Sequence, residues 1–288
     1  MFVIRITGLV FQLHYSCRFM SNISDQKVVV FCDFSERMKE VIVHGVKMAD
    51  ILKKELCLIA IWKGQDHKKQ VHEKMIRTSQ SLKSNLPEIQ ISSLLLQGSL
   101  RENMYKLADD YNAVLIILHQ ADIKFGLKAF RESNIAFLFV NGSLPEFLRY
   151  KNVVVPVDYR KASKENALWA SYLGRFNQSR IHLVFAKETE KDHLDKLTNN
   201  LNFIRKFLSS LNVRFEFIPG ETNSWGIFNE TLIHAPEWNG DVMVFAGSTY
   251  ISLIDLIIGL PEEKIIRNAG SLPILIINPL KDTCILCD

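Results

Sequence analysis

The sequence predicts an α/β protein made of two doubly wound, five-stranded parallel-sheet domains in tandem. Apolar stretches of strand length alternate with segments of helical periodicity, the pattern of a sheet covered on both faces. The series also runs through twice. Lys27-Val-Val-Val-Phe-Cys-Asp33 returns as Asn152-Val-Val-Val-Pro-Val-Asp158, and Ile135-Ala-Phe-Leu-Phe-Val-Asn141 returns as Leu272-Pro-Ile-Leu-Ile-Ile-Asn278. The 288 residues suit this reading, at about 150 residues per domain.

In the first half a buried strand covers about 27–33. Ser35 is placed to cap a helix whose Met38, Val41, Gly45, Ala49 and Leu52 share one face. Leu56–Trp62 is a second strand, dense enough to be buried on both sides. A charged helix near 66–84 and a strand from Ile89 to Gln97 follow. Gly98-Ser99 then punctuates the chain before a helix carrying Leu100, Met104, Leu107, Ala108 and Tyr111. Ala113–Leu118 and Ala136–Val140 are the fourth and fifth strands.

The second half repeats these steps. A helix from Ser163 presents Ala167, Ala170 and Gly174, and Ile181–Ala186 is the next strand. Leu194, Leu197, Leu201, Ile204, Leu208 and Leu211 alternate three and four apart, an amphipathic helix. Val213, Phe215 and Phe217 alternate along a strand that Pro219-Gly220 ends. A helix runs on to about Trp238, Val242–Ala246 forms the fourth strand, and Pro279 stops the fifth. The expected domains are 25–142 and 150–280, joined through Gly142-Ser-Leu-Pro145. Residues 1–24 are expected to be a non-structural extension, with Met20 a more natural start than Met1.

Composition narrows the function classes. A hydrophobic content of 48% with 23% charge is that of an ordinary globular protein. The net charge of +4 is the difference of 35 basic and 31 acidic residues, without the clustering that phosphate backbones require, so nucleic acid is not an expected partner. No apolar run approaches the roughly 20 residues that span a bilayer, so no membrane association is expected. Cys17, Cys32, Cys57, Cys284 and Cys287 do not form a disulfide framework, and this usage points to a reducing cytoplasm. Eight scattered histidines offer no metal-ligand spacing, so no metal site is expected.

Ligands of open α/β sheets bind beyond the strand carboxyl ends, where strand order reverses. The candidate residues are therefore Asp33 and Asp158, after each first strand. After the fourth strands come His119-Gln-Ala-Asp122 and Gly247-Ser248-Thr249-Tyr250. A structural reading stands beside the functional one: aspartate often caps the turn it opens, and His119 is equally a loop residue.

These stretches, with Val242-Met-Val-Phe-Ala-Gly247-Ser248 and Gly259-Leu-Pro-Glu-Glu-Lys-Ile-Ile-Arg-Asn-Ala269, carry a resemblance. Each half resembles the universal stress protein domain, over about 27–141 and 151–279. That resemblance implies a Rossmann-like, adenine nucleotide alpha hydrolase-like fold with strand order 3-2-1-4-5. ATP-binding members carry Gly-x2-Gly-x9-Gly followed by Ser or Thr. Glycines let backbone N–H groups close on phosphate, and a hydroxyl adds a donor. Carried over, the pattern implies nucleotide contacts from Asp158, Val157, Gly247, Ser248, Thr249 and Gly259. Tyr250 replaces the middle glycine and Leu260 the hydroxyl residue, so the second-half site is degenerate. The first half keeps Asp33, but Ala113 to Asn141 spans 28 positions against 37 from Asp241 to Asn278, nine fewer where the phosphate loop would lie.

The leading expectation is a tandem universal stress protein acting as a non-catalytic stress-response regulatory or binding module, with no bound cofactor. The alternative is an ATP-binding, slowly hydrolysing sensor working through the second domain. An adenylyl transferase or ATP pyrophosphatase would need His-x-Gly-His or Ser-Gly-Gly-x-Asp-Ser, and neither occurs. The family's habit of pairing through fifth strands implies an intrachain pseudo-dimer, Ala136–Val140 against Pro273–Ile277. A homodimer and a regulatory protein partner are further expectations.

Overall fold

The computed structural model describes residues 25–142, 148–247 and 261–278. In the first half the chain runs β1 (Lys27–Phe31), α1 (Met38–Leu52), β2 (Glu55–Trp62), α2 (Gln65–Asn85) and β3 (Ile91–Gln97). It continues through α3 (Met104–Asp109), β4 (Ala113–His119), α4 (Ile123–Phe130) and β5 (Ala136–Val140). The second half runs β6 (Asn152–Val157), α5 (Ser163–Asn177), β7 (Arg180–Phe185), α6 (Lys191–Ser210) and β8 (Phe215–Pro219). Then come α7 (Ile227–His234), β9 (Val242–Ala246), α8 (Pro261–Asn268) and β10 (Ile274–Ile277). The predicted extension 1–24, most of the linker and the Cys284/Cys287 pair lie outside the described residues.

The strands form one sheet in the order β3-β2-β1-β4-β5-β10-β9-β6-β7-β8. Each half by itself has the order 3-2-1-4-5, and pairing within a half is parallel. At the junction β5 and β10 pair antiparallel, with Phe139 opposite Ile274, Leu138 opposite Leu275 and Phe137 opposite Ile276. The fifth-strand pairing expected from the sequence is therefore present, and it merges the two expected sheets into a single ten-stranded one. Two sheet edges that would otherwise expose unpaired backbone are removed by this contact.

Two apolar layers sandwich the sheet. One holds α1, α2, α5 and α6, the other α3, α4, α7 and α8. The junction is packed in both, through α1 against α5 and α4 against α8. Burial pushes the thiol of Cys57 up to about 11 and raises that of Cys32 further, so both behave as small core groups.

Several local expectations are corrected. Ser35 does not cap α1 by its side chain. The helix starts three residues later, at Met38, and the Ser35 hydroxyl donates to Asp33 instead. The helix expected around 100–111 is a 3₁₀ turn, Arg101–Asn103, followed by the short α3. Leu194, predicted on the buried face of α6, is 45% exposed; the buried residues of that helix begin at Leu197. The sequence reading named no helix between β4 and β5, yet α4 is there, burying Ile123, Gly126, Leu127 and Phe130. That i, i+3, i+4, i+7 spacing was a readable signal in a very short segment.

Candidate functional site

Pro156 interrupts the β6–β9 ladder. Along β6 the carbonyl of Asn152 bonds toward β9, while those of Lys151 and Val157 bond toward β7. By this alternation Pro156 faces β9, and a proline has no N–H to give. Pairing of β6 with β9 accordingly stops at Val154, whereas β1 pairs with β4 through Val30. The β6–β9 ladder thus ends short of the strand carboxyl ends, the place where strand order reverses.

Asp158 follows β6 at that end of the sheet and is 1% exposed. Its Oδ1 accepts from the Arg160 N–H at 2.7 Å and from the Ser163 hydroxyl at 2.9 Å. The Asp158 N–H returns a bond to the Ser163 oxygen at 2.9 Å, and the Asn200 amide donates to the Asp158 carbonyl at 2.9 Å. Its Oδ2 accepts from Arg160 Nε at 2.5 Å. The same guanidinium donates to the Ser224 carbonyl at 3.1 Å and lies 5.3 Å from the centre of the Phe228 ring. Arg160 therefore ties the loop after β6 to the loop after β8.

A second buried carboxylate braces this arrangement. Glu188 accepts from the Ser224 N–H at 2.9 Å and from its hydroxyl, and its other oxygen is 3.7 Å from His193 Nδ1. His193 stacks on Tyr159 with ring centres 3.8 Å apart and planes 2° from parallel. Held by these bonds, the Asn223–Gly226 turn presents Trp225 to solvent, 81% exposed. Arg160, Glu188, Asn200 and Ser224 were missed by sequence reasoning. Arg160 had a local signal, an arginine two residues past the strand-end aspartate; the other three stand on separate loops and helices.

The other second-half candidates divide. Val157 is fully buried, and its carbonyl accepts from the Ala186 N–H at 2.9 Å. Gly247 is buried, and its N–H donates to the Ile277 carbonyl at 2.9 Å. A Cβ there would come within 2.7 Å of the Phe130 ring, which belongs to the first half. Glycine at this position leaves room for that ring. Ser248, Thr249 and Gly259 lie outside the described residues, as do Tyr250 and Leu260.

In the first half Asp33 is exposed and accepts from the Ser35 N–H at 2.9 Å and the Ser35 hydroxyl at 2.8 Å. Here aspartate closes its own turn, as the structural reading had it. Arg37 Nη2 is 3.8 Å away. His119 is buried: its Nδ1 accepts from the Ala121 N–H at 3.0 Å, which assigns the proton to Nε2, 3.4 Å from Glu40. Burial, followed by the charge of Asp33, raises the Asp122 carboxyl above the usual range. Among the described residues no group of three or more His, Cys, Asp or Glu is arranged to hold a metal ion. None of their helices is long and apolar enough to cross a membrane.

No family model matches the chain, and no curated protein does. Solved structures do. A universal stress protein from Archaeoglobus fulgidus DSM 4304 is 13% identical, superimposes with a TM-score of 0.66 and matches 89% of this chain and 98% of its own. A functionally unknown protein from Pseudomonas aeruginosa PAO1 is 13% identical over 89% of this chain and 93% of its own, with a TM-score of 0.60. The cytoplasmic domain of a prokaryotic cation chloride cotransporter is 12% identical over 91% of this chain and 98% of its own, with a TM-score of 0.55.

Proposed function

We propose that this chain, which has the α/β fold of the universal stress proteins, is a tandem, non-catalytic regulatory module of the stress response. Its two domains are 25–142 and 150–280, and it works by binding a regulatory protein partner rather than by turnover. One observation carries this reading: the second-half carboxylate Asp158 is already occupied, by Arg160 and Ser163 of the same chain. The strand-end aspartate of the first half is likewise engaged in its own turn. A fold that also forms the cytoplasmic domain of a transporter supports a module role.

The alternative, an ATP-binding sensor in the second half, draws support from the early end of β6–β9 pairing at Val154, which leaves the strand carboxyl ends there unpaired with each other. Titration calorimetry of the full chain with ATP and Mg²⁺ separates the two. No heat at millimolar ATP is the expected result. Binding that Asp158→Ala abolishes would establish the sensor instead.

A further inference from the structure

We propose that a cavity at the opposite end of the sheet, beneath the amino ends of β6, β9 and β10, binds a small zwitterion of the apolar amino-acid class. Its volume is about 370 Å³, and both halves build it: His44 comes from α1, Asn141 from the end of β5, and Leu148 and Arg149 from the approach to β6. This is the size range of small-molecule sites, about 300–1,000 Å³.

The chemistry of the lining selects the ligand. Leu148, Leu232 and Leu272 are half-buried and give an apolar wall. Two opposite charges interrupt it, Asp241 and Arg149. Asp241 Oδ2 accepts from the Lys151 N–H at 2.6 Å and the Asn152 N–H at 2.9 Å. A carboxylate has acceptor capacity beyond two bonds, which an ammonium group can use. Arg149 is exposed and already has a partner, but a guanidinium has five donors in a planar fork, enough to take a carboxylate as well. The remaining titratable lining group, His44, adds no charge at neutral pH, because burial lowers its imidazole to about 4. One anion, one cation and an aliphatic wall match an ammonium, a carboxylate and an apolar side chain.

Its place in the fold gives such a ligand leverage. His44 Nδ1 meets the Tyr150 hydroxyl at 2.5 Å across the junction, and Tyr150 holds a left-handed backbone, φ 51°. A molecule seated between His44, Asp241 and Leu272 stabilises the arrangement of the two halves. The site shares no residue with the Asp158 cluster, so it can fail without touching the reading above.

Calorimetry of the full chain with L-leucine and L-phenylalanine tests the assignment. Binding is expected below about 10 mM and absent for N-acetyl-L-leucine, which lacks the ammonium. Asp241→Asn keeps an acceptor oxygen for both backbone N–H groups, and Arg149→Glu changes an exposed side chain. Each should weaken binding about tenfold or more, a loss of at least one charge-assisted bond. Leu232→Trp should fill the cavity; its circular dichroism and urea midpoint report folding, and if it fails to fold the two charge variants decide. No binding of either amino acid at about 10 mM, equal binding of the N-acetyl analogue, or unchanged binding in Asp241→Asn and Arg149→Glu would overturn the proposal.

Discussion

Asn141 and Asn278 clamp the junction from its two ends, each through its side-chain amide. Asn141 donates to the Gly270 carbonyl of the second half at 3.0 Å, and Asn278 donates to the Ser133 carbonyl of the first at 2.9 Å. Both follow the fifth strand of their half, so the antiparallel pairing of β5 with β10 carries each to the loop that precedes the other's strand. Replacing either by Ala should cost about 1 kcal/mol, with Asn278, the less exposed, costing more. Urea unfolding of both variants measures this, and an unchanged midpoint for the pair would refute the clamp.

Gly247 and Phe130 form a second contact between the halves. Gly247→Val should destabilise by about 1–3 kcal/mol through overpacking against the ring. Combining it with Phe130→Leu should recover part of that loss. A double-mutant cycle with no coupling would argue against packing as the reason for glycine.

Arg160 offsets the buried charge of Asp158. Arg160→Ala should cost about 1–3 kcal/mol, because Asp158 keeps the Ser163 hydroxyl and a backbone N–H but loses its cation. Adding Asp158→Asn should restore much of the stability. Thermal melts of the three proteins decide, and an Arg160→Ala chain as stable as wild type would show the pair to be idle.

His44 makes stability depend on pH. Its folded value of about 4 lies below the ordinary histidine value of 6.5, so the native state binds fewer protons than the unfolded chain between those limits. Stability is therefore complete above about 6.5 and falls as pH drops toward 4, by about 3 kcal/mol at 1.36 kcal/mol per pH unit. Denaturant midpoints at several pH values should show this slope in wild type and lose it in His44→Asn. A slope that survives the substitution would assign it elsewhere.

Much of this molecule is legible along the chain. Strands buried on both faces must be continuously apolar, which is why β2, β4 and β5 stand out in the sequence, and β5 has the bounds it was expected to have. The duplication is plain because both copies meet the same packing demand. The candidate site is less legible. Asp158 was readable as a strand-end group, but Glu188, Asn200 and Ser224 converge on its neighbourhood from the loop after β7, from α6 and from the loop after β8. No local spacing encodes such convergence.

The sequence by itself determined the α/β class and the two sets of five strands, because burial imposes a period on the residues of each element. The meeting of the fifth strands was implied by the family resemblance, and its antiparallel register is a tertiary fact. Tertiary structure alone decided what the conspicuous residues do. Asp158 is neutralised by Arg160 and Gly247 makes room for Phe130, because side-chain partners are chosen by distance in space, and folding brings together groups that the chain keeps far apart.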